Sequence, residues 1–387
     1  MLIVGGGIAG LWILDELTRC GHDAVLLERE ALGAGQTIWS QGIIHGGLKY
    51  TLDGLMNPSA AAIRDMPAIW RACLQGGRQP DLSRARVRSQ FCHVWRTGSL
   101  ASRLGMIGAR VGLRVGAVML AREERPAALA ECPGDVARLD EQVIDPGAVL
   151  AALAGRHRGR IIRGELAEFG VIEGGAAAHL RASVGGNEAR VRLRARRVVL
   201  SAGNGMPGLR AMLGLKPGLT QTRGLRMAMV RGPAGSLPEL YGHCVDGAKT
   251  RVTITSAVDS KGRRVWQVGG DLAERGAGMS AAEFIAEARR EVSACVPGID
   301  LGACEFGWYD APRAEPATGG AAAPARPAGA VAMVEGPVVT AWPTKLALAP
   351  RLAEEVASAI GPGAGVEGAP HDLDAPGVAP APWDRWQ

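Results

Sequence analysis

Leu2-Ile-Val4-Gly5-Gly-Gly7-Ile8-Ala9-Gly10 decides how this chain folds. Three apolar residues make a short strand. Glycines spaced Gly-x-Gly-x-x-Gly turn the chain, and Leu11, Leu14 and Leu17 then fall on one face of a helix ending near Gly21. A second apolar run, Ala24 to Leu27, closes in Glu28. Strand, glycine turn, helix and acid-ended strand together make a dinucleotide-binding unit. Gly5 permits the tight turn, Gly7 lets the backbone approach a pyrophosphate, and Gly10 lets helix and strand pack closely. Ile8 and Ala9 open the helix, where N–H groups without helical partners face the phosphates. Glu28, with Arg29 beside it, is placed for the adenosine ribose hydroxyls.

The chain has 387 residues, which favours two domains, and 47% of them are hydrophobic, enough for a full core. The net charge of +6 rests almost wholly on dispersed arginines, because only five lysines occur. A solvated surface accounts for that pattern, so nucleic acid is not expected as a partner. An anionic substrate or peripheral contact with a membrane surface fits the charge equally well. Seven cysteines stand in loose spacing without Cys-x-x-Cys, which points to reduced thiols in a cytoplasmic protein and against a zinc site or disulfide frame. No apolar run approaches the roughly 20 residues that a membrane helix needs. Met1 leads straight into the first strand, so no signal peptide is expected.

The second informative stretch is Gly35-Gln-Thr37-Ile-Trp39-Ser40-Gln41-Gly42-Ile43-Ile-His45-Gly-Gly-Leu-Lys-Tyr50. It resembles the flavin loop of the FAD-dependent glycerol-3-phosphate dehydrogenases, which belong to the D-amino-acid oxidase superfamily. The resemblance implies FAD. It places Thr37 at the pyrophosphate and Ser40, Gln41, Gly42 and Ile43 along the isoalloxazine. His45 becomes either a catalytic residue or a histidine hydrogen-bonded to backbone beneath the ring. Superfamily members with flavin attached through histidine carry it where Trp39 stands here, so non-covalent FAD is expected.

The likeness continues downstream. Val143-Ile-Asp145-Pro146 resembles the return into the cofactor domain, with Pro146 suited to a first helical turn. Arg160 to Ala167 reads as a parallel strand, and Leu166 is the expected adenine contact. Arg197-Val-Val-Leu-Ser-Ala202-Gly203 resembles the second cofactor-side turn. Gly307-Trp-Tyr-Asp-Ala-Pro-Arg313 resembles a Gly-x-Arg-Pro segment whose arginine holds the substrate's anionic group, a role that suits the guanidinium fork. Trp342-Pro-Thr344-Lys345-Leu346 stands where the family has Gly-Gly-Lys before a helix. That helix start, with Thr344, Lys345 and Leu346, is expected to face the flavin ring, where negative charge collects on reduction.

The expected architecture is α/β. A Rossmann-like FAD-binding domain takes residues 1–80, 143–217 and 330–365. A substrate domain on a mostly antiparallel sheet takes 81–142 and 218–329, and residues 366–387 form a loosely structured tail. The expected activity is hydride transfer from a small anionic hydroxy or amino compound to the flavin, with oxygen or a quinone as acceptor. Arg313, Lys345 and His45 are the expected catalytic residues. The base position of the glycerol-phosphate enzymes holds Arg226 here, which makes His45, Tyr309 and Tyr241 the substitutes to weigh. A flavin-binding subunit or scaffold without independent turnover is the rival reading.

Overall fold

The computed structural model describes residues 1–47, 58–98, 117–246, 249–317, 328–363 and 372–386. The strands of its first half are β1 (Leu2–Val4), β2 (Val25–Glu28), β3 (Val87–Ser89), β4 (Cys92–Trp95), β5 (Ala117–Met119), β6 (Val136–Leu139), β7 (Val143–Ile144), β8 (Ile161–Ile172), β9 (Gly175–Val184) and β10 (Asn187–Ala195). Those of the second half are β11 (Val198–Leu200), β12 (Thr220–Arg223), β13 (Arg226–Arg231), β14 (Tyr241–Asp246), β15 (Lys249–Val258), β16 (Arg264–Gly269), β17 (Glu305–Asp310), β18 (Arg313–Pro316), β19 (Val331–Glu335) and β20 (Val338–Trp342). Two eight-stranded sheets organise them.

The first sheet runs β10-β9-β8-β2-β1-β11-β20-β19. Its five central strands, β8 to β20, are parallel, with Val4 level with Leu27 on one side and Leu200 on the other. Parallel strands are covered on both faces, which is why Leu2, Ile3, Leu26, Val198, Val199 and Val338 form near-continuous apolar runs. Helix α1 (Ile8–Arg19) lies on one face and is apolar nearly all round. It packs on the C-terminal helix, and Trp12 meets Trp70 at 4.6 Å between ring centroids. Each fully buried side chain of this size contributes roughly 1.5–3 kcal/mol. Helices α2 (Pro58–Ile63) and α3 (Met66–Leu74) follow, with Pro67 in the first turn of α3. Helix α4 (Pro146–Arg156) begins as expected, its N-cap Asp145 accepting from the Ala148 N–H.

The second sheet runs β17-β13-β16-β15-β14-β4-β6-β5 and is antiparallel except for β14 on β4. Helices α5 (Met206–Met212) and α6 (Asp271–Gly276) follow strands of the first and second sheet. Helix α7 (Ala281–Cys295) covers the second sheet, burying Phe284, Ala288 and Val292 against Trp95 and Trp266. Helix α8 (Ala349–Ile360) completes the cover of the first sheet. No helix among the described residues is long and apolar enough to cross a membrane.

The expectation of a loosely structured tail is corrected over residues 372–386. Asp374 takes the Ser183 hydroxyl and the Gly185 and Gly186 N–H groups. Leu32 pairs with Val378 through two backbone hydrogen bonds. Trp383 is buried, and Trp386 lies under the Arg231 guanidinium, 4.2 Å from ring to charge. The segment escapes a reading by periodicity because it is a strap, fixed by backbone pairing and single aromatic anchors. The Ala-Gly-Pro run of residues 318–327 and the Leu48-Lys49-Tyr50 end of the flavin-like loop lie outside the described residues.

Candidate functional site

The carboxyl ends of β1, β2, β11 and β20 meet at one edge of the first sheet, where the strand order reverses on either side of β1. Such a switch point is where open α/β sheets bind nucleotides. Gly5, Gly7, Ile8, Ala9, Gly10, Glu28, Ala202, Gly203, Thr344 and Lys345 all follow from these strand ends. Gly5 has φ +113°, and a Cβ on Gly10 would lie 1.9 Å from the Gly5 carbonyl oxygen, so both positions demand glycine. Helix α1 has no side-chain cap at Gly7, and the Thr37 hydroxyl accepts from the Ile8 N–H at 3.1 Å. The Ser40 hydroxyl is buried without a hydrogen-bond partner among the described residues. An uncapped helix start, glycine-only close approaches and a buried orphan hydroxyl on the next loop fit a dinucleotide with a polar ring system.

Several of the expected contact residues also have partners within the protein. Glu28 spends one carboxylate oxygen on the Gly6 N–H and the other on the Glu30 N–H, so it also braces the turn. Arg29 is exposed and paired with Glu30 at 3.1 Å, away from the turn. Leu166 packs in the core of the β8–β9 hairpin, opposite Leu180. Thr344 has φ +57°, the left-handed region the family's glycine would fill at no cost, and its hydroxyl donates to the Gly329 carbonyl. Lys345 is buried with Nζ donating to the Ala328 carbonyl at 3.2 Å, so its charge is directed at the 328–329 backbone. Leu346 is partly buried against the first core and opens a short 3-10 turn before α8.

The flavin-like loop is zipped to the segment before α4. Ile44 N–H donates to Gln142 and Ile144 N–H to Gly42, with Ile43 bridging Val143. That antiparallel register brings Glu141 against His45. One Glu141 oxygen accepts from the Gly46 N–H at 2.7 Å, and the other lies 3.3 Å from His45 Nδ1. The β14–β15 pairing puts His243 opposite Thr253, whose hydroxyl is 2.8 Å from His243 Nδ1. The two histidine rings lie 5.1 Å apart, tilted by 36°.

From there a chain of polar groups runs beneath the second sheet. Gln41 Nε2 donates to the Thr253 and Gln267 carbonyls, each at 2.9 Å. Gln267 Nε2 donates to the Trp39 carbonyl and to the Tyr309 hydroxyl. Arg313 stands at the start of β18 opposite Arg223, close enough to Tyr309 to act on its ionisation, and the next residue's N–H donates to Gln36. Arg313, next to the residue that bonds Gln36, and His45 are thus both tied to the loop of residues 36–46, near its opposite ends.

Among the possible bases, burial raises Tyr309 far above an ordinary phenol, and burial also raises Tyr241. Both stay protonated and are poor proton acceptors. Arg226 is held by Asp310 at 2.8 Å and covers Trp308, so the roof uses it as structure. His45 alone of the expected group has a carboxylate partner that orients an imidazole. Sequence reading missed Glu141, His243, Gln267 and Thr253, whose contacts with the loop span 95 to 228 residues of chain. No spacing signal connects them. His45, Glu141 and His243 each offer a ligand atom within 4.8 Å of the others, a set that could also receive a divalent cation.

Three comparisons bear on this geometry. The family model described as FAD dependent oxidoreductase matches residues 1–336. A probable FAD-dependent oxidoreductase of Pseudomonas aeruginosa is 41% identical over 364 residues, covering 93% of this chain and 90% of that one. The crystal structure of an FAD-dependent oxidoreductase from the same organism superposes with TM-score 0.79 at 35% identity, covering 99% and 96%. Glycine oxidase from Geobacillus kaustophilus shares the fold at TM-score 0.65 and 17% identity, covering 92% of each chain. Similarity to glycerol-3-phosphate dehydrogenase 1 of Mycobacterium tuberculosis is 42% but spans 55 residues, 14% of this chain and 10% of that one. The likeness to those dehydrogenases is thus local, whereas the likeness to the Pseudomonas protein runs the length of the chain.

Proposed function

The chain belongs to the FAD-dependent oxidoreductase family, and from that premise we propose that it oxidises a small anionic hydroxy or amino compound with non-covalently bound FAD. The observation that carries this reading is the glycine cradle at the switch point, joined through Thr37 to a loop that bears His45 at one end and meets Ala314, beside Arg313, at the other. FAD, when bound, supplies a two-electron acceptor. The chain's own residues do the rest. Gly5, Gly7, Gly10, Thr37 and the first turn of α1 hold the pyrophosphate, and Ser40, Gln41, Gly42 and Ile43 line the ring. Arg313 grips the substrate's anionic end. His45, oriented through Nδ1 by Glu141, accepts the proton from the substrate's hydroxyl or ammonium group.

The same reading divides the chain into an FAD-binding part, residues 1–80, 143–217 and 330–365, and a substrate part, residues 81–142 and 218–329. A glycerol phosphate is one member of the substrate class, supported by the 55-residue similarity to the mycobacterial dehydrogenase. Glycine and related amino acids are another, supported by fold alone.

Anaerobic titration of the FAD-loaded protein with a panel of hydroxy acids, polyol phosphates and amino acids tests the proposal. At least one should bleach the flavin band, and Arg313→Met should raise the concentration needed by roughly 100-fold or more, the loss expected for a desolvated charge pair. Bleaching by none of them, with FAD bound, would leave the scaffold reading in its place. A yellow supernatant after acid precipitation is the expected sign of non-covalent flavin.

A further inference from the structure

Three segments far apart in the chain converge at the end of the flavin-like loop. His45 comes from the loop, Glu141 from the segment before β7, and His243 from β14. One ligand atom of each lies within 4.8 Å of those of the other two. Glu141 and His243 are buried, while the His45 side chain is 21% exposed and leaves a way in.

The spacing suits an ion. Two ligands on a tetrahedral zinc, each about 2.0–2.1 Å from it, stand about 3.3 Å from one another. His45 Nδ1 and Glu141 Oε2 are 3.3 Å apart, wider than the roughly 2.7–2.9 Å of a close charge-assisted hydrogen bond. A cation can therefore enter between them with little movement of either. The two buried ligands also have the outer partners by which metal sites fix a ligand. The Gly46 N–H holds the second Glu141 oxygen at 2.7 Å, and the Cys92 thiol donates to Oε2 at 3.6 Å. His243 Nδ1 lies 2.8 Å from the Thr253 hydroxyl, and a ring that donates its proton there carries its lone pair on Nε2. Two imidazoles and one carboxylate suit a borderline cation such as zinc. They do not suit magnesium, which prefers oxygens in an octahedron.

We propose that His45, Glu141 and His243 form an inhibitory site for a zinc-like divalent cation, and that the working enzyme carries no ion there. A cation on His45 Nδ1 leaves the remaining ring proton on Nε2, the nitrogen that has to accept the substrate's proton. The occupied protein then cannot turn over. The inhibition rests on the proposed role of His45 as base, whereas the binding needs only the three ligands.

Zinc is the probe, titrated by calorimetry into the FAD-loaded full chain. One zinc should bind per chain, and magnesium at about 100-fold higher concentration should neither bind nor compete. Loss of an outer partner costs a metal site about 10–100-fold in affinity, so Thr253→Val should weaken zinc about tenfold. His243→Gln and Glu141→Gln each remove a ligand and should weaken it by about 100-fold or more. Arg313→Met should bind zinc as the unaltered chain does. With a compound that reduces the flavin, one equivalent of zinc should slow the reduction by about 100-fold, the loss expected of a silenced base, and a chelator should restore it. No zinc bound, binding undiminished in both His243→Gln and Glu141→Gln, or equal binding of magnesium would overturn the site. Zinc bound there with flavin reduction unslowed would overturn the inhibition and, with it, the role of His45 as base. Should no compound reduce the flavin, the proposed reaction fails and the titration alone decides the site. Should His243→Gln lose its flavin, Glu141→Gln and Thr253→Val decide.

Discussion

The cofactor cradle and the roof above it are built from different materials. The cradle is backbone: glycines that permit close approach, N–H groups at a helix start, and parallel strands ending at one edge. The roof is held by side chains: Gln41 donates to the Thr253 and Gln267 carbonyls, Gln267 to the Tyr309 hydroxyl, His243 meets the Thr253 hydroxyl and Glu141 meets His45. A backbone site tolerates almost any side chain outside its glycines. A side-chain network depends on each partner, and its chemistry can be retuned without touching the fold.

The sharpest way to break the contrast is at Gly10. A valine there forces β-branched atoms against a carbonyl that a Cβ alone would already meet at 1.9 Å. The expected result is loss of bound flavin by at least 100-fold, or failure to fold, read by absorbance and circular dichroism. A Gly10→Val protein that stays yellow would refute the backbone account of the cradle.

The roof should respond more gently. Glu141→Gln keeps the size of the group but removes the charge that orients His45, and general-base catalysis is typically worth 10²–10⁴-fold. We expect the rate of flavin reduction at saturating substrate to fall about 100-fold, with flavin content unchanged. Dialysis against a chelator should leave that rate as it was, because in the proposed reading Glu141 orients His45 by direct contact, at 3.3 Å, with no ion between them. A rate lost on chelation and restored by a divalent cation would instead make the His45–Glu141–His243 group a catalytic metal site.

A smaller effect belongs to the fold beneath the cradle. Asp15 is fully buried in α1. Burial pushes its carboxyl up, but hydrogen bonds from His157, Arg156 and Arg19 outweigh it and hold the pKa down at about 2. A lowered carboxyl pKa contributes stability that is complete above its unfolded value near 4 and is lost as pH falls toward 2. Asp15→Asn should cost about 2 kcal/mol at neutral pH and flatten the acid limb of a denaturation profile between about pH 4 and 2. An unchanged acid limb would show that the cluster carries no such linkage.

Local pattern identified the dinucleotide unit, the helix start at Pro146 and the antiparallel character of the roof, and resemblance to a known family identified the flavin-like loop. Each is encoded within a few neighbouring residues, as glycine spacing, apolar period or a capping side chain. The expected tail failed for the complementary reason, since backbone pairing of Val378 with Leu32 leaves no mark in composition. Tertiary structure alone decided that Glu141 faces His45, that Lys345 points to the Ala328 carbonyl, and that Arg226 belongs to a surface pair. Those contacts join residues far apart in the chain through strand register, and register is set by the packing of whole sheets, which no short stretch of sequence contains.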